Sequence, residues 1–323
     1  MKEIINIIES NQKWVAVGAA IGANSIITVL LVLFSIEILD EYGIILFMLV
    51  PMGLGTVSSA VYGHFKERSK KESIKVSFLT LLVACLLLLI FKIEGILCVV
   101  MASPFVAVFV LIGALLGHDI QRRIKTDIMG MFSINLLVVP LLMTAESRFF
   151  ESDGNLIEAK TSMVINAPIQ KIWENVVEFP DIPEPREWIF QTGIAYPTSS
   201  EIVGVGTGAI RYCEFTTGRF VEPIHIWNAP YHMQFTVQEQ PIPLKRMLYE
   251  EVPTNMYKYF VSTKGEFKLT ELEDGTVLLE GTTWYYHKIK PAGYWKIWSK
   301  NIIHAIHGRV LNHIKDVSEQ KIN

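Results

Sequence analysis

The chain has few cysteines: three in 323 residues, and no two of them in one aqueous segment. Cys85 and Cys98 fall in apolar runs, and Cys213 stands alone in the polar half of the chain. A lone thiol permits no internal disulfide there, so Cys213 reads as a small packed side chain. No Cys-x-x-Cys, no glycine-rich phosphate loop and no His-Glu-x-x-His occurs, which removes the common zinc, nucleotide and metalloprotease signatures. The formal net charge is −3 and the C-terminal half carries no basic patch, so nothing points to nucleic acid as a partner and none is expected. No cofactor and no metal ligand set is implied. Beyond Arg148 the chain also lacks any apolar run of membrane length.

Before Arg148 the composition is reversed. Five apolar runs cover Val15–Leu39, Gly43–Gly63, Ile74–Phe91, Gly95–Gly117 and Ile128–Ala145, each near the roughly 20 residues that cross a hydrocarbon core. Half of all residues are hydrophobic. Residues 1–148 therefore read as an all-helical transmembrane domain, with the lipid bilayer as its partner. The first run is too long for a removable signal peptide, and no small-residue cleavage site closes it. Gly18-x-x-x-Gly22 and Gly113-x-x-x-Gly117 permit close helix approach, and packing within one subunit is the simpler use of both. Asn24 and Asn135 are the polar groups expected at depth. Ionisable residues inside the runs are almost absent, which argues against ion-coupled transport.

Basic residues set the expected orientation. Lys66, Arg68, Lys70, Lys71 and Lys75 occupy one loop, Arg122, Arg123 and Lys125 another, and Lys2 and Lys13 precede the first run. The opposite loops hold only Lys92. The positive-inside rule puts the N-terminus and both basic loops in the cytoplasm. Five crossings then carry the C-terminal domain to the far side of a plasma membrane. A re-entrant pair on either side of Lys92 would reverse that last step.

Residues 155–323 are the right size for one domain and alternate between strand and helix patterns. A strand is expected over Glu158–Ile165 and a helix over Ile169–Phe179, opened by Pro168 near its first turn. Strands follow at Gly208–Thr216, Val221–Trp227 and Tyr231–Glu239, the last alternating cleanly. Tyr259–Leu272 and Thr276–His287 flank the turn signal Glu273-Asp274-Gly275. A long helix, Pro291–Val317, closes the chain.

This order, with the entry segment Ile165-Asn-Ala-Pro-Ile-Gln-Lys-Ile-Trp173, the turn Gly204-Val-Gly-Thr-Gly208 and the strand Gly281-Thr-Thr-Trp284, resembles the START-like (SRPBCC) superfamily. That superfamily includes the polyketide cyclase/dehydrase and lipid-transport proteins. Glu187-Trp-Ile-Phe190 and Arg211-Tyr-Cys-Glu-Phe215 sharpen the likeness to bacterial members without an established reaction. The resemblance implies an α+β helix-grip fold, an antiparallel sheet wrapped on the terminal helix around an apolar cavity. It reaches from Glu158 to about Ser318. The apolar half resembles no channel or transporter family.

Two classes of function are compatible with such a cavity. In the first, a membrane-anchored domain binds a lipid or other hydrophobic small molecule as carrier, sensor or presenter. Its expected lining is Phe235, Trp284, Tyr286, Trp295, Trp298, Ile302 and Ile306, with Arg211 and Arg309 as polar contacts. The second is a cyclase- or dehydratase-type enzyme, which needs a titratable residue inside the cavity; His225, His313, Glu214 and Glu280 are its candidates. A protein-interaction module with a collapsed cavity is the remaining alternative. Binding is favoured over catalysis, because no catalytic set is evident. The terminal helix places Trp295, Trp298, Ile302, Ile303, Ile306, Val310 and Ile314 on one arc, with His304 and His307 expected on the solvated side. Arg309 on that arc calls for a carboxylate from Glu214, Glu222 or Glu280, since an isolated buried charge is costly. Arg211 and Glu214 differ by an odd number and face opposite ways on a regular strand. Gln240–Tyr257 reads as a long loop, serving as a lid, a membrane-touching foot or plain surface. The oligomeric state is not encoded in any recognisable motif.

Overall fold

A computed structural model describes residues 14, 17–64, 66–123, 128–150, 154–243 and 259–319. Most of the expected loop Gln240–Tyr257, with Lys245 and Arg246, lies outside the described residues, as do Lys2, Lys13 and Lys125. The chain divides into two compact units.

The first unit is helical. Among the described residues, five helices are long and apolar enough to cross a membrane: α1 (Ile21–Ile38), α2 (Ile44–Tyr62), α3 (Lys70–Ile90), α4 (Ile96–Arg123) and α5 (Gly130–Phe149). The third begins four residues ahead of its apolar run because Ser69 and Glu72 form a reciprocal capping box, satisfying two backbone donors at that end. Helices α2 and α4 cross at close range. A methyl group on Gly113 would lie 2.0 Å from the Met52 carbonyl oxygen, and one on Gly55 2.3 Å from that of Val110. Gly113-x-x-x-Gly117 is thus packed inside the unit. Gly18 and Gly22 have nothing against them among the described residues. Buried Asn24 donates to the Leu54 carbonyl and to Ser58 Oγ, both at 2.8 Å, which meets its hydrogen-bonding need away from water. Glu146 accepts from the Ile44 and Ile45 amides at 2.6 and 3.0 Å and so caps α2, where the helix dipole favours an anion.

The second unit is a seven-stranded antiparallel sheet in the order β1-β7-β6-β5-β4-β3-β2. Its strands are β1 (Ile157–Ile165), β2 (Pro197–Val203), β3 (Ile210–Phe215), β4 (Gly218–Asn228), β5 (His232–Thr236), β6 (Phe260–Glu271) and β7 (Val277–His287). Register shifts between Ile224 and Ile226, and between Ser262 and Lys264, add an extra residue to β4 and to β6. Such bulges bend a strand and strengthen its twist, so the sheet curls. Helix α6 (Ile169–Val177) buries Ile169, Ile172, Trp173 and Val176, a spacing that makes one apolar face. After the single turn α7 (Trp188–Gln191), the long helix α8 (Ala292–Ser318) lies in the curve of the sheet. Here Val310, Leu311 and Ile314 pack with Leu279 of β7, Met233 of β5 and Ile172 of α6 in one core. This is a helix-grip α+β unit. The sequence reading omits the short helix α7 and the edge strand β2, whose Pro197-Thr-Ser-Ser-Glu-Ile-Val203 has no apolar alternation to mark it.

Candidate ligand cavity

Between the inner face of the sheet and α8 lies a cavity of about 150 Å³. Its wall is mainly apolar: Phe235 and Phe267 from the sheet, and Ile302, Ile306, Val310 and Leu311 from the helix. Two glycines make room for it. Gly281 leaves space between Phe267 and Leu311, and a methyl group on Gly265 would meet the Phe235 ring at 2.5 Å.

Among the polar groups of this wall, two groupings bear on its chemistry. The first is Arg211 of β3 with Glu222 of β4, directly opposite one another in the strand register and both nearly inaccessible. Arg211 Nη1 donates to Glu222 Oε2, and Nε donates to the Val177 carbonyl at 3.3 Å. The guanidinium carbon also sits 5.5 Å from the centre of the Phe179 ring and 5.7 Å from those of Phe235 and Phe267, within cation–π range. Burial pushes the Glu222 carboxyl up, while the adjoining guanidinium pulls it back. Burial works against the Arg211 charge, but the Glu222 charge, helped by Cys213 and the hydrogen bonds to both, more than offsets it and keeps the proton on. Cys213, two residues along β3, lines the same wall, and burial pushes its thiol up to about 12. It is a neutral thiol at physiological pH.

The second grouping is His307 with two threonines. Its Nδ1 lies 3.0 Å from Thr161 Oγ1 and its Nε2 2.8 Å from Thr283 Oγ1; Thr161 also meets His304 Nδ1 at 2.8 Å. Burial, and secondarily the charge of His304, lowers His307 to about 4. Its imidazole is therefore neutral at pH 7, with one nitrogen donating and the other accepting.

Of the expected ligand contacts, Arg211, Phe235, Ile302 and Ile306 line the cavity. Trp284, Tyr286, Trp295, Trp298 and Arg309 do not form its wall. Trp284 instead lies beneath the Lys264 ammonium, 4.1 Å away, and Trp295 packs edge-on to Tyr294. Arg309 is buried, and no carboxylate among the described residues is bonded to it. It donates to the carbonyls of Pro197, Pro183 and Ile182 at 2.9, 2.7 and 3.4 Å and lies over the Tyr196 ring. It ties α8 to the segment before β2 in place of the expected ion pair.

The four acid–base candidates also sit elsewhere. His225 is exposed on β4 and bonded to Thr236, and His313 meets the Pro180 carbonyl at 3.1 Å. Glu214 pairs with Arg219 at 3.2 Å and Glu280 with Lys160 at 2.6 Å. Arg211 and Glu214 do face opposite ways, as the odd spacing requires.

Sequence reasoning missed Thr161 and Thr283, offered Glu222 to Arg309 instead of Arg211, and put His307 on the solvated side. The signal for His307 was present. Ser299, Ile303, His307 and Leu311 recur every four residues, and this line runs through the buried side of α8. Centring the arc on Trp295 and Trp298 turned the expected face away from His307.

No known family model matches the chain, and no curated protein matches it. Among solved structures, a protein of Nitrosospira multiformis aligns at 14% identity over 51% of this chain and 98% of its own, with a TM-score of 0.34. A truncated norcoclaurine synthase from Thalictrum flavum aligns at 11% identity over 52% and 96%, TM-score 0.34. The Zhui aromatase/cyclase from Streptomyces sp. R1128 aligns at 11% identity over 52% and 97%, TM-score 0.34. The helix-grip assignment rests on the strand order and on the helix held within the sheet.

Proposed function

We propose that this protein binds a hydrophobic small molecule in the helix-grip cavity and does so as a domain anchored to a membrane. One observation carries the reading: the space between the sheet and α8 is walled chiefly by phenylalanine, isoleucine, leucine and valine, with a few polar groups at fixed places. That is the usual make-up of a small-molecule site. The five apolar helices supply the anchor, and the basic loops favour a cytoplasmic N-terminus with the binding domain on the other side.

Native mass spectrometry of the full-length chain released from detergent, followed by extraction of bound molecules, tests the binding. A stoichiometric hydrophobic compound is expected, and Ile306→Trp, which fills the cavity, should purify without it. Equal loading of that variant and the unmodified chain would exclude the cavity as the site. Orientation is tested separately with an impermeant maleimide on intact cells. Glu273→Cys in the exposed β6–β7 turn should label, and Lys70→Cys at the start of α3 should not.

An acid–base enzyme of cyclase or dehydratase type is the second reading. His307 favours it as a cavity-lining titratable group with no carboxylate bonded to it among the described residues. Both ring nitrogens are already engaged by threonine hydroxyls, so proton exchange with a substrate would have to break or relay through one of them. Binding without turnover therefore ranks first.

A further inference from the structure

Taking the cavity to be the binding site, as proposed above, we infer that its ligand is compact and electrically neutral: a molecule about one ring in size, carrying a hydroxyl group that the Arg211–Glu222 pair both donates to and accepts from. It is neither a carboxylate nor a long-chain lipid.

Size is the first argument. An apolar protein cavity of about 150 Å³ holds one benzene, whereas sites for drug-sized ligands run from about 300 to 1,000 Å³. The cavity here is about 150 Å³, room for a single ring and its substituents.

Charge is the second. Among the described residues the only guanidinium in the wall already faces a carboxylate at contact distance, so an incoming anion would meet Glu222 as well as Arg211. His307 adds no positive charge at neutral pH, since burial lowers its imidazole to about 4 and its nitrogens meet only hydroxyl groups. Lys264 and Glu266 also border the cavity, but their charged ends are engaged elsewhere. The Lys264 ammonium lies over Trp284, and the Glu266 carboxylate accepts from His232 and Gln234, both at 3.1 Å, with Lys268 at 3.6 Å. Among the described residues, the charges that face the cavity thus cancel.

Hydrogen-bond capacity is the third. A guanidinium has five donors; Val177 takes one at Nε, Glu222 one at Nη1 and the Cys213 sulfur another, which leaves two. Nitrogen donors therefore remain beside a carboxylate that accepts. A hydroxyl group, which accepts and donates at one atom, satisfies both partners at once. A hydrocarbon satisfies neither, and a carboxylate repels one of them.

The test is calorimetric titration of the full-length chain in lipid nanodiscs, with empty nanodiscs as the blank. The probes are the near-isosteric trio 4-methylphenol, toluene and 4-methylbenzoate, plus dodecanol and laurate. Hydrogen bonds to charged groups discriminate by roughly ten-fold or more, so 4-methylphenol should bind at least ten-fold more tightly than toluene. The benzoate and the two long chains should not bind above the blank. In Glu222→Gln the preference should pass to the benzoate, since Arg211 is then uncompensated; the probe series on the unmodified chain does not depend on that variant folding.

Tight benzoate binding to the unmodified chain, or phenol and toluene binding equally, overturns the neutral-hydroxyl inference and leaves cavity binding intact. Binding of dodecanol or laurate without any ring compound overturns the size limit in the same way. If none of the five binds, the binding reading itself falls.

Discussion

Arg211 and Glu222 occupy directly paired positions on β3 and β4, and their side chains close on each other inside the apolar wall of the cavity. A buried ion pair of this kind costs desolvation on both sides, and removing one partner leaves the other uncompensated. Glu222→Gln should therefore lower the stability of the helix-grip unit by about 3–5 kcal/mol. Replacing both at once, Arg211→Met with Glu222→Leu, should cost much less, since an apolar pair of similar volume carries no desolvation penalty. Thermal unfolding of the two variants and the unmodified chain checks this. A Glu222→Gln loss below about 1 kcal/mol, the scale of an exposed pair, would mean that the pair is solvated.

His307 makes the stability of the same unit depend on pH. In the unfolded chain its imidazole titrates near 6.5; in the folded protein burial lowers that to about 4. Between these values the unfolded state binds the extra proton, so stability rises with pH across this window. The contribution is complete above about pH 6.5 and is lost progressively as pH falls toward 4, amounting to roughly 3 kcal/mol at most. The melting temperature of the unmodified chain should fall over that range, and His307→Gln should flatten the dependence. Identical pH profiles for the two would place the imidazole in water.

Much of this architecture was legible in the sequence, because long runs and strict alternation survive any tertiary context. The five apolar helices, the β6–β7 hairpin with its Asp274-Gly275 turn, and the terminal helix follow from composition and period alone. Strand β2 was not legible, since its polar residues are held as an edge strand by β3 rather than by a buried face of their own. Within the site, parity put Arg211 and Glu214 on opposite faces, yet it could not select Glu222 as the partner. That choice depends on the β3–β4 register, which the two-residue turn at Thr216 and Thr217 sets. Arg309 misled for a related reason: backbone carbonyls satisfied it, and these leave no mark in a sequence.

Gly265 offers a probe of whether the cavity must stay open. It lies opposite Phe235 on β5, and a methyl group there would come within 2.5 Å of the ring. In Gly265→Ala the flexible end of Phe235 has to swing away, and the open space beside it is the cavity. Overpacking of this sort costs about 1–3 kcal/mol, so the unit should remain folded while ligand uptake falls by at least ten-fold. Unchanged uptake, measured by the extraction and mass spectrometry described above, would mean that Phe235 retreats elsewhere and that Gly265 does not shape the site.

The membrane unit makes a sharper demand, because its tight contact is with backbone. A methyl group on Gly113 would lie 2.0 Å from the Met52 carbonyl oxygen, which cannot rotate away as a side chain can. Gly113→Ala must push α2 and α4 apart, and it should destabilise the unit by at least about 1–3 kcal/mol, the cost of overpacking. Gly22 is the internal comparison, since nothing lies within 4 Å of its added methyl among the described residues. Gly22→Ala should be neutral or stabilising by up to about 1 kcal/mol, the difference in helix propensity. The same substitution thus carries opposite signs in two small-x-x-x-small motifs, measured by thermal unfolding in one detergent. A destabilising Gly22→Ala would reveal a partner on that face, and a harmless Gly113→Ala would show that α2 and α4 do not cross at backbone contact.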